Sequence, residues 1–121
     1  MIVGIGIDTV SIERISQKIE RPEFLEKVFS KEEIEYCQQN AKPAEHFAAR
    51  FGAKEAFLKA VGKGLGISYE LKDIEIYHHE DGAPKINLYG EFKKFNSEFN
   101  RIHVSLSHTE SVATAIVILE K

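Results

Sequence analysis

The chain has 121 residues, of which 43% are hydrophobic and 29% charged, and its formal net charge at pH 7 is −3. This composition is that of an ordinary globular protein and excludes a disordered chain, while the length predicts one domain over residues 1–121. The acidic balance disfavours a general nucleic-acid-binding protein. The single cysteine excludes an intramolecular disulfide framework and a multi-cysteine zinc cluster.

The N-terminal segment MIVGIGID is apolar, but it reaches an acidic residue at Asp8, too early for the core of a signal peptide. No apolar run approaches the roughly 20 residues that cross a bilayer as a helix. We therefore expect a cytoplasmic protein that has no membrane partner.

The first predicted element is a strand over residues 1–8, because apolar side chains alternate there with two glycines and Asp8. From Ser11 the isoleucines recur every three or four residues, which predicts a first helix. The sequence SKEE, beginning at Ser30, is a capping box and predicts a second helix that runs to about Asn40.

Residues 43–61 predict a third and longer helix, which begins with a proline and ends at the glycine-rich segment 62–66. Residues 73–90 predict two strands around an Asp-Gly turn. Residues 91–99 are predicted to form a short helix or a long loop, and residues 102–121 a second hairpin.

The order of these elements bears on the fold class. Three consecutive helices without intervening strands disfavour a doubly wound parallel sheet. We therefore predict an α+β fold, in which a mostly antiparallel sheet packs against one long helix.

The long helix has no polar face. Large apolar residues form one stripe, and small residues form the opposite stripe: Phe47, Phe51, Leu58 and Val61 against Ala49, Gly52, Ala53, Ala56 and Ala60. A helix of this kind is covered on both sides. We predict that its small stripe packs against the glycine face of the first strand.

Charged residues lie along the two seams between these stripes, with Arg50 and Lys54 on one seam and Glu55 and Lys59 on the other. One interpretation of Glu55 and Lys59 is a surface ion pair, contributing about 0.3–0.5 kcal/mol. The missing polar face favours a second interpretation, because a partly buried charge needs a partner to offset its desolvation.

Two other segments carry polar residues that could bind a metal or take part in catalysis. Asp8 ends the first strand on its glycine face, where a ligand or metal can approach, although a helix cap would also explain an aspartate there. The segment HVSLSHT places three polar residues on one strand face and His108 at the turn, where a polar surface residue is the simpler interpretation. Ser-His-Asp hydrolase chemistry has no Gly-x-Ser-x-Gly elbow to support it.

Three segments together closely resemble one family, the holo-(acyl-carrier-protein) synthases, which are small 4′-phosphopantetheinyl transferases. They are GIGIDTVSIERI, RFGAKEAFLKAVGKGLG and HVSLSHT, and the segments DIEI and DGAPKI match as well. The likeness spans essentially the whole chain. It implies the family's α+β fold and a homotrimer that binds coenzyme A in clefts between subunits.

The resemblance also implies the reaction. The 4′-phosphopantetheine arm of coenzyme A is transferred to a serine of apo-acyl carrier protein, adenosine 3′,5′-bisphosphate is released, and the product supports fatty acid biosynthesis. Asp8 and Glu55 match the family's Mg²⁺ ligands, and two hard carboxylates suit that ion. Lys59 and His108 match residues that act on the phosphates, so Glu55, Lys59 and His108 are the predicted catalytic residues.

Further coenzyme A contacts are implied for Ser107 and Thr109 beside His108, and for Arg50 and Lys63 at the nucleotide end. The general base stays open between Glu55, a water on the metal and another carboxylate. Lys54 is predicted to pair inside the protein.

The carrier-protein docking surface is predicted on the first helix and just after it. Acyl carrier proteins present an acidic helix, which basic residues would meet. The predicted docking residues are Arg14, Lys18 and Arg21, which are spaced by four and three on the first helix, with Phe24 and Leu25 as apolar contacts. Interspersed glutamates make this segment less basic than the family pattern, and a solvated amphipathic helix is the alternative.

Two other functions compete with the transferase. The first is another magnesium-dependent phosphotransfer enzyme. The segment GIGIDTVS is similar to the phosphate loop of actin-like kinases, but Val10 replaces a glycine and the chain is too short for that two-lobed fold. A trimeric binding module without enzymatic activity is the second alternative.

Overall fold

The structure is a computed structural model that describes residues 1–62 and 69–121. These ranges contain five strands: β1 Ile2–Ser11, β2 Ile74–His78, β3 Pro84–Leu88, β4 Arg101–His108 and β5 Val112–Glu120. They contain five α-helices: α1 Ile12–Lys18, α2 Pro22–Val28, α3 Lys31–Gln38, α4 Pro43–Val61 and α5 Phe95–Glu98. Short 3-10 helices occupy Leu71–Asp73 and Gly90–Lys94. No helix in the described ranges is long and apolar enough to span a bilayer.

The strands form two antiparallel sheets within the described part of the chain. The larger sheet has the order β1-β5-β4, and β2 pairs with β3 in a separate hairpin. The predicted α+β class with antiparallel pairing is confirmed. In the described residues, β3 follows β2 through a tight turn and pairs only with that strand, so the hairpin forms a sheet of its own.

Helix starts follow the capping signals of the sequence. The predicted capping box is present, since the Ser30 hydroxyl accepts from the Glu33 N–H at 3.2 Å and the Glu33 carboxylate accepts from the Ser30 N–H at 2.9 Å. Likewise, Ser11 caps α1.

The prediction that Arg21 lies on the first helix is wrong. Helix α1 ends at Lys18, and a separate helix, α2, begins at Pro22 with Arg21 as its N-cap residue. The ring of Pro22 explains the break, because it removes a helical N–H and disfavours helical backbone at the residue before it.

Helix α4 packs directly on the backbone of β1, as the small-residue stripe predicts. A Cβ atom added to Gly6 would overlap the carbonyl oxygen of Ala56, and one added to Gly4 would overlap that of Ala60. Only glycine allows this approach. The glycines thus bring the end of β1 close to the middle of α4.

Replacing Gly6 with alanine is therefore expected to destabilise the fold by about 3 kcal/mol, because a backbone carbonyl blocks the new methyl group. Gly52→Ala is the matched control, since its Cβ would meet the Val10 side chain at 3.3 Å and the Ala115 Cβ at 3.6 Å. Urea denaturation measures both. Equal midpoints for the two variants would contradict this account of the packing.

The predicted internal pairing of Lys54 is confirmed. Its ammonium and the Glu33 carboxylate, both fully buried, lie 2.7 Å apart. The ammonium also donates to the carbonyl oxygens of Leu71 and Ile74, and Glu33 accepts from the Ile76 N–H. Burial lowers the pKa of Lys54, and the neighbouring Glu33 carboxylate opposes that shift. The pair thus joins α3, α4 and β2.

Candidate active site

A cavity of about 480 Å³ lies where β1, α1 and α4 meet, and we call it the carboxylate cavity. Asp8 and Glu55 contribute its two acidic side chains, Arg14 and Lys18 its two basic ones, and Phe51 part of its apolar wall. Asp8 reaches this cavity because the glycine face of β1 packs against α4. The cavity therefore combines two carboxylates with flanking positive charge.

Lys59 pairs with Asp8 rather than with Glu55 in the described structure. Its ammonium donates to Asp8 Oδ1 at 2.9 Å and to the Ile7 carbonyl oxygen at 3.0 Å. The Lys59 side chain is 56% exposed and that of Asp8 is 18% exposed. Lys59 thus joins α4 to β1 while its ammonium stays accessible to a ligand.

The electrostatics around Glu55 favour a cation. Burial raises the pKa of Glu55, and the Asp8 carboxylate raises it further, whereas Lys59 and Lys18 lower it. Two carboxylates facing one cavity repel each other, and a divalent cation between them would remove that cost.

The donor set fits Mg²⁺. Among the described residues, no group of three or more His, Cys, Asp or Glu side chains could hold a metal. Proteins usually bind Mg²⁺ through only one or two carboxylates, with substrate phosphates and water as the other ligands. Asp8 and Glu55 supply that minimal set.

Arg50 lies in a second cavity, of about 270 Å³, which we call the Arg50 cavity. Its guanidinium stacks on the Tyr36 ring at 4.3 Å, and Nη2 lies 3.1 Å from His78 Nδ1. The residue is 2% exposed, and its Nε has no hydrogen-bond partner among the described residues. The carboxylate cavity and the Arg50 cavity share no lining residue in the described ranges.

The three predicted residues around the β4–β5 turn face different surroundings. His108 Nε2 lies 3.5 Å from Glu45 Oε1, at the start of α4. The Thr109 hydroxyl accepts from the N–H groups of Ser111 and Val112 within the turn, both at 3.2 Å. Ser107 is exposed, on the sheet face that points away from α4.

The structure therefore brings together Asp8, Glu55 and Lys59, and it places Arg50 and His108 elsewhere. Lys63, predicted at the nucleotide end, lies outside the described residues.

The predicted docking residues form a surface beside the carboxylate cavity. Arg14, Lys18 and Arg21 line one shallow cavity of about 330 Å³. Half-buried Phe24 and Leu25 follow on α2, and the Lys18 ammonium lies 5.7 Å from the centre of the Phe24 ring. Arg14 and Lys18 line the carboxylate cavity as well. The basic surface is thus continuous with the two carboxylates.

Four residues at these sites were not predicted from the sequence: Phe51 as part of the cavity wall, Tyr36 and His78 against Arg50, and Glu45 beside His108. The sequence places Phe51 only in the large apolar stripe of the long helix. The contacts of Tyr36, His78 and Glu45 join segments far apart in the chain, and no local pattern marks them.

Comparison with known proteins identifies the family. Residues 4–117 match the 4′-phosphopantetheinyl transferase superfamily, and the chain belongs to it. A holo-(acyl-carrier-protein) synthase of Syntrophus aciditrophicus is 48% identical, over 99% of this chain and 97% of that protein.

Solved structures agree with this assignment. The fold is similar to that of holo-(acyl-carrier-protein) synthase from Neisseria meningitidis, with a TM-score of 0.87, 36% identity and full coverage of both chains. It is also similar to the Bacillus anthracis enzyme in complex with coenzyme A (3′,5′-ADP), with a TM-score of 0.82 and 34% identity over 100% of this chain and 98% of that one.

Proposed function

We propose that this chain, as one domain over residues 1–121, is a holo-(acyl-carrier-protein) synthase. It transfers 4′-phosphopantetheine from coenzyme A to a serine of apo-acyl carrier protein, releases adenosine 3′,5′-bisphosphate and supports fatty acid biosynthesis. The observation that best supports this function is the carboxylate cavity, where Asp8 and Glu55 lie close to Lys59 and beside a basic surface. The named relatives support the same reaction. Since newly made carrier protein is a substrate, we place the enzyme in the cytoplasm.

Asp8 and Glu55 are the residues that would hold Mg²⁺. When bound, the ion neutralises negative charge on the pyrophosphate of coenzyme A. Lys59 is the chain's own phosphate ligand, since its exposed ammonium already reaches Asp8 and can turn to a pyrophosphate oxygen. Lys59, together with the ion that Asp8 and Glu55 would hold, would place positive charge where the leaving group gains negative charge.

In the proposed step, the serine oxygen of the carrier protein bonds to the β-phosphorus. The bond from that phosphorus to the bridging oxygen breaks, and the bridging oxygen leaves with the adenosine bisphosphate. The serine proton needs an acceptor. Asp8 is paired with Lys59, whereas Glu55 lines the same cavity and has no such ion pair among the described residues, so we assign the proton to Glu55.

The carrier protein docks on the surface of Arg14, Lys18 and Arg21, with Phe24 and Leu25 as apolar contacts. This assignment is supported by the continuity of that surface with the carboxylate cavity, through Arg14 and Lys18. A serine at the end of an acidic helix would thereby be delivered to the reacting phosphorus, and electrostatic complementarity would speed the encounter.

Arg50, Lys63, Ser107, His108 and Thr109 are assigned to the nucleotide end of coenzyme A. The buried Arg50 guanidinium forms no ion pair with the described residues, which is costly unless an anionic ligand supplies the charge. Because the Arg50 cavity is separate from the carboxylate cavity, we assign the two ends of one coenzyme A to neighbouring subunits of a homotrimer.

The open face of the larger sheet supports that oligomer. Val3, Ile5 and Ile7 point away from α4 and are 45%, 60% and 57% exposed. A contiguous apolar patch of this kind marks an interaction surface. Ser107 lies on the same face, so a neighbouring subunit there would come close to the β4–β5 end.

Replacing Ile7 with arginine is expected to convert the trimer to monomer, because the charge would be buried in an apolar interface. Light scattering should give about three times 13.7 kDa for the natural chain and one third of that for the variant. Tyr77→Arg is the matched control, since Tyr77 is 37% exposed on the separate hairpin. A monomeric natural chain would refute the trimer.

The reaction itself is tested by release of adenosine 3′,5′-bisphosphate from coenzyme A and Mg²⁺. Release should require apo-carrier protein and should stop when the carrier's serine is replaced by alanine. Coenzyme A binding without any release would instead favour the binding module.

A further inference from the structure

We infer that His78 is a positioning residue: its imidazole fixes the Arg50 guanidinium against Tyr36 in the orientation that binds the anionic nucleotide end of coenzyme A. This inference rests on the proposed function.

Three elements hold the guanidinium. Arg50 projects from α4, stacks on Tyr36 of α3 at 4.3 Å, and donates through Nη2 to Nδ1 of His78, at the end of β2. The imidazole meets the Tyr36 ring edge-on, with 5.5 Å between ring centres and an interplanar angle of 88°. The Tyr36 ring therefore contacts one face of the guanidinium, and the His78 imidazole contacts its Nη2 atom. Together these two contacts fix the orientation of the guanidinium.

The hydrogen bond requires a neutral imidazole. A guanidinium has only donors, so Nδ1 of His78 must be the acceptor and carry no proton. Burial lowers the pKa of His78, and the positive charges of Arg50 and His46 lower it further. The neutral state is thus the state that the surroundings favour.

A neutral acceptor holds the guanidinium without cancelling its charge. Three carboxylates line the same cavity, those of Glu32, Glu33 and Glu75. Glu33 pairs with Lys54, Glu75 accepts from the Ser30 hydroxyl at 2.6 Å, and no ion pair joins Arg50 to a carboxylate within the described residues. Arg50 therefore keeps its full charge and an Nε–H without a partner in the described residues. Because Arg50 lines the cavity, an oxyanion of a ligand bound there would compensate this charge.

The test is steady-state kinetics of the full-length enzyme with coenzyme A varied. His78→Leu removes the acceptor and should raise the KM for coenzyme A about tenfold at unchanged kcat, as expected for loss of a hydrogen bond to a charged group. His78→Asn restores a neutral acceptor and should return the KM to within about twofold of the natural value. His79→Leu, at the exposed neighbouring histidine, is the matched control.

A third variant, His78→Asp, separates positioning from simple hydrogen bonding. Its carboxylate can accept from Arg50 but neutralises the charge, so it should raise the KM at least as much as His78→Leu. In an Arg50→Gln background, His78→Leu should add no further increase, because the two residues act as a unit. A further increase would show that His78 contacts the ligand directly and would overturn the inference, as would a natural KM for His78→Leu.

Calorimetric titration with coenzyme A distinguishes failure of this inference from failure of the proposed function. If the natural chain transfers no phosphopantetheine but the variants still rank in this order by affinity, the positioning role stands and the transferase assignment falls. If transfer occurs and the affinities of all His78 variants are equal, the positioning role falls alone.

Discussion

Asp8→Asn and Glu55→Gln should each lower the rate of phosphopantetheine transfer at least about 100-fold, since even losing an outer partner of a metal ligand costs about 10–100-fold. Asp8 and Glu55 are the two carboxylates of the carboxylate cavity, and each is assigned to the same Mg²⁺. Glu55 is also the proposed proton acceptor, so Glu55→Gln should show the larger loss at saturating Mg²⁺. Initial rates across a Mg²⁺ titration measure both effects.

Glu98→Gln and Glu110→Gln serve as controls, because both residues are exposed and neither lines the carboxylate cavity. Their rates should equal that of the natural chain at every Mg²⁺ concentration. Circular dichroism should show that all four variants are folded. Full activity of both Asp8→Asn and Glu55→Gln at limiting Mg²⁺ would refute the assignment of the metal ligands.

Lys54→Met should destabilise the protein by about 3–5 kcal/mol, the cost of leaving one partner of a buried pair without the other. Lys54 is fully buried and is bound to Glu33 at 2.7 Å and to two carbonyl oxygens. Its removal leaves the Glu33 carboxylate charged, buried and short of one donor. The free energy of unfolding from urea denaturation measures the loss.

Lys72→Met is the matched control for an exposed pair. Lys72 lies 3.2 Å from Glu70 with side chains that are 44% and 50% exposed, and its loss should cost at most about 1 kcal/mol. The double variant Glu33→Gln/Lys54→Met should recover part of the stability, because no lone charge stays buried. A stability within about 1 kcal/mol of the natural chain for Lys54→Met would contradict the structural role of the pair.

The parts of the fold that follow from local pattern were predictable. The capping box at Ser30 and Glu33 depends on residues three apart, and the alternation in β1 depends on its own side chains. The contact between β1 and α4 was predictable for another reason. Gly4 and Gly6 form a face without side chains, and a stripe of alanines is what such a face can accommodate.

Other parts depend on contacts that no local pattern encodes. The break between α1 and α2 was not predicted because Arg14, Lys18 and Arg21 keep a helical spacing across it, although Pro22 was a usable signal. The environment of Arg50 was not predictable, since Tyr36 and His78 lie 14 and 28 residues away in the chain. The predicted nucleotide role of Arg50 stays a prediction, as do the roles of the other site residues.

The neighbourhood of Asp8, Glu55 and Lys59 could be anticipated in part. Glu55 and Lys59 share one seam of α4, and Asp8 continues the glycine face that packs on that helix. The sequence did not indicate that Lys59 pairs with Asp8 across the β1–α4 contact. That ion pair depends on how closely β1 packs against α4, which the glycines of β1 determine.

The most direct measurement is intact-protein mass spectrometry of apo-acyl carrier protein incubated with this protein, coenzyme A and Mg²⁺. We expect the carrier protein to gain the mass of one phosphopantetheine, and we expect EDTA to abolish the gain. An unchanged mass with several carrier proteins and folded enzyme would contradict the transferase assignment. A full gain in the presence of EDTA would contradict the role of Mg²⁺ at Asp8 and Glu55.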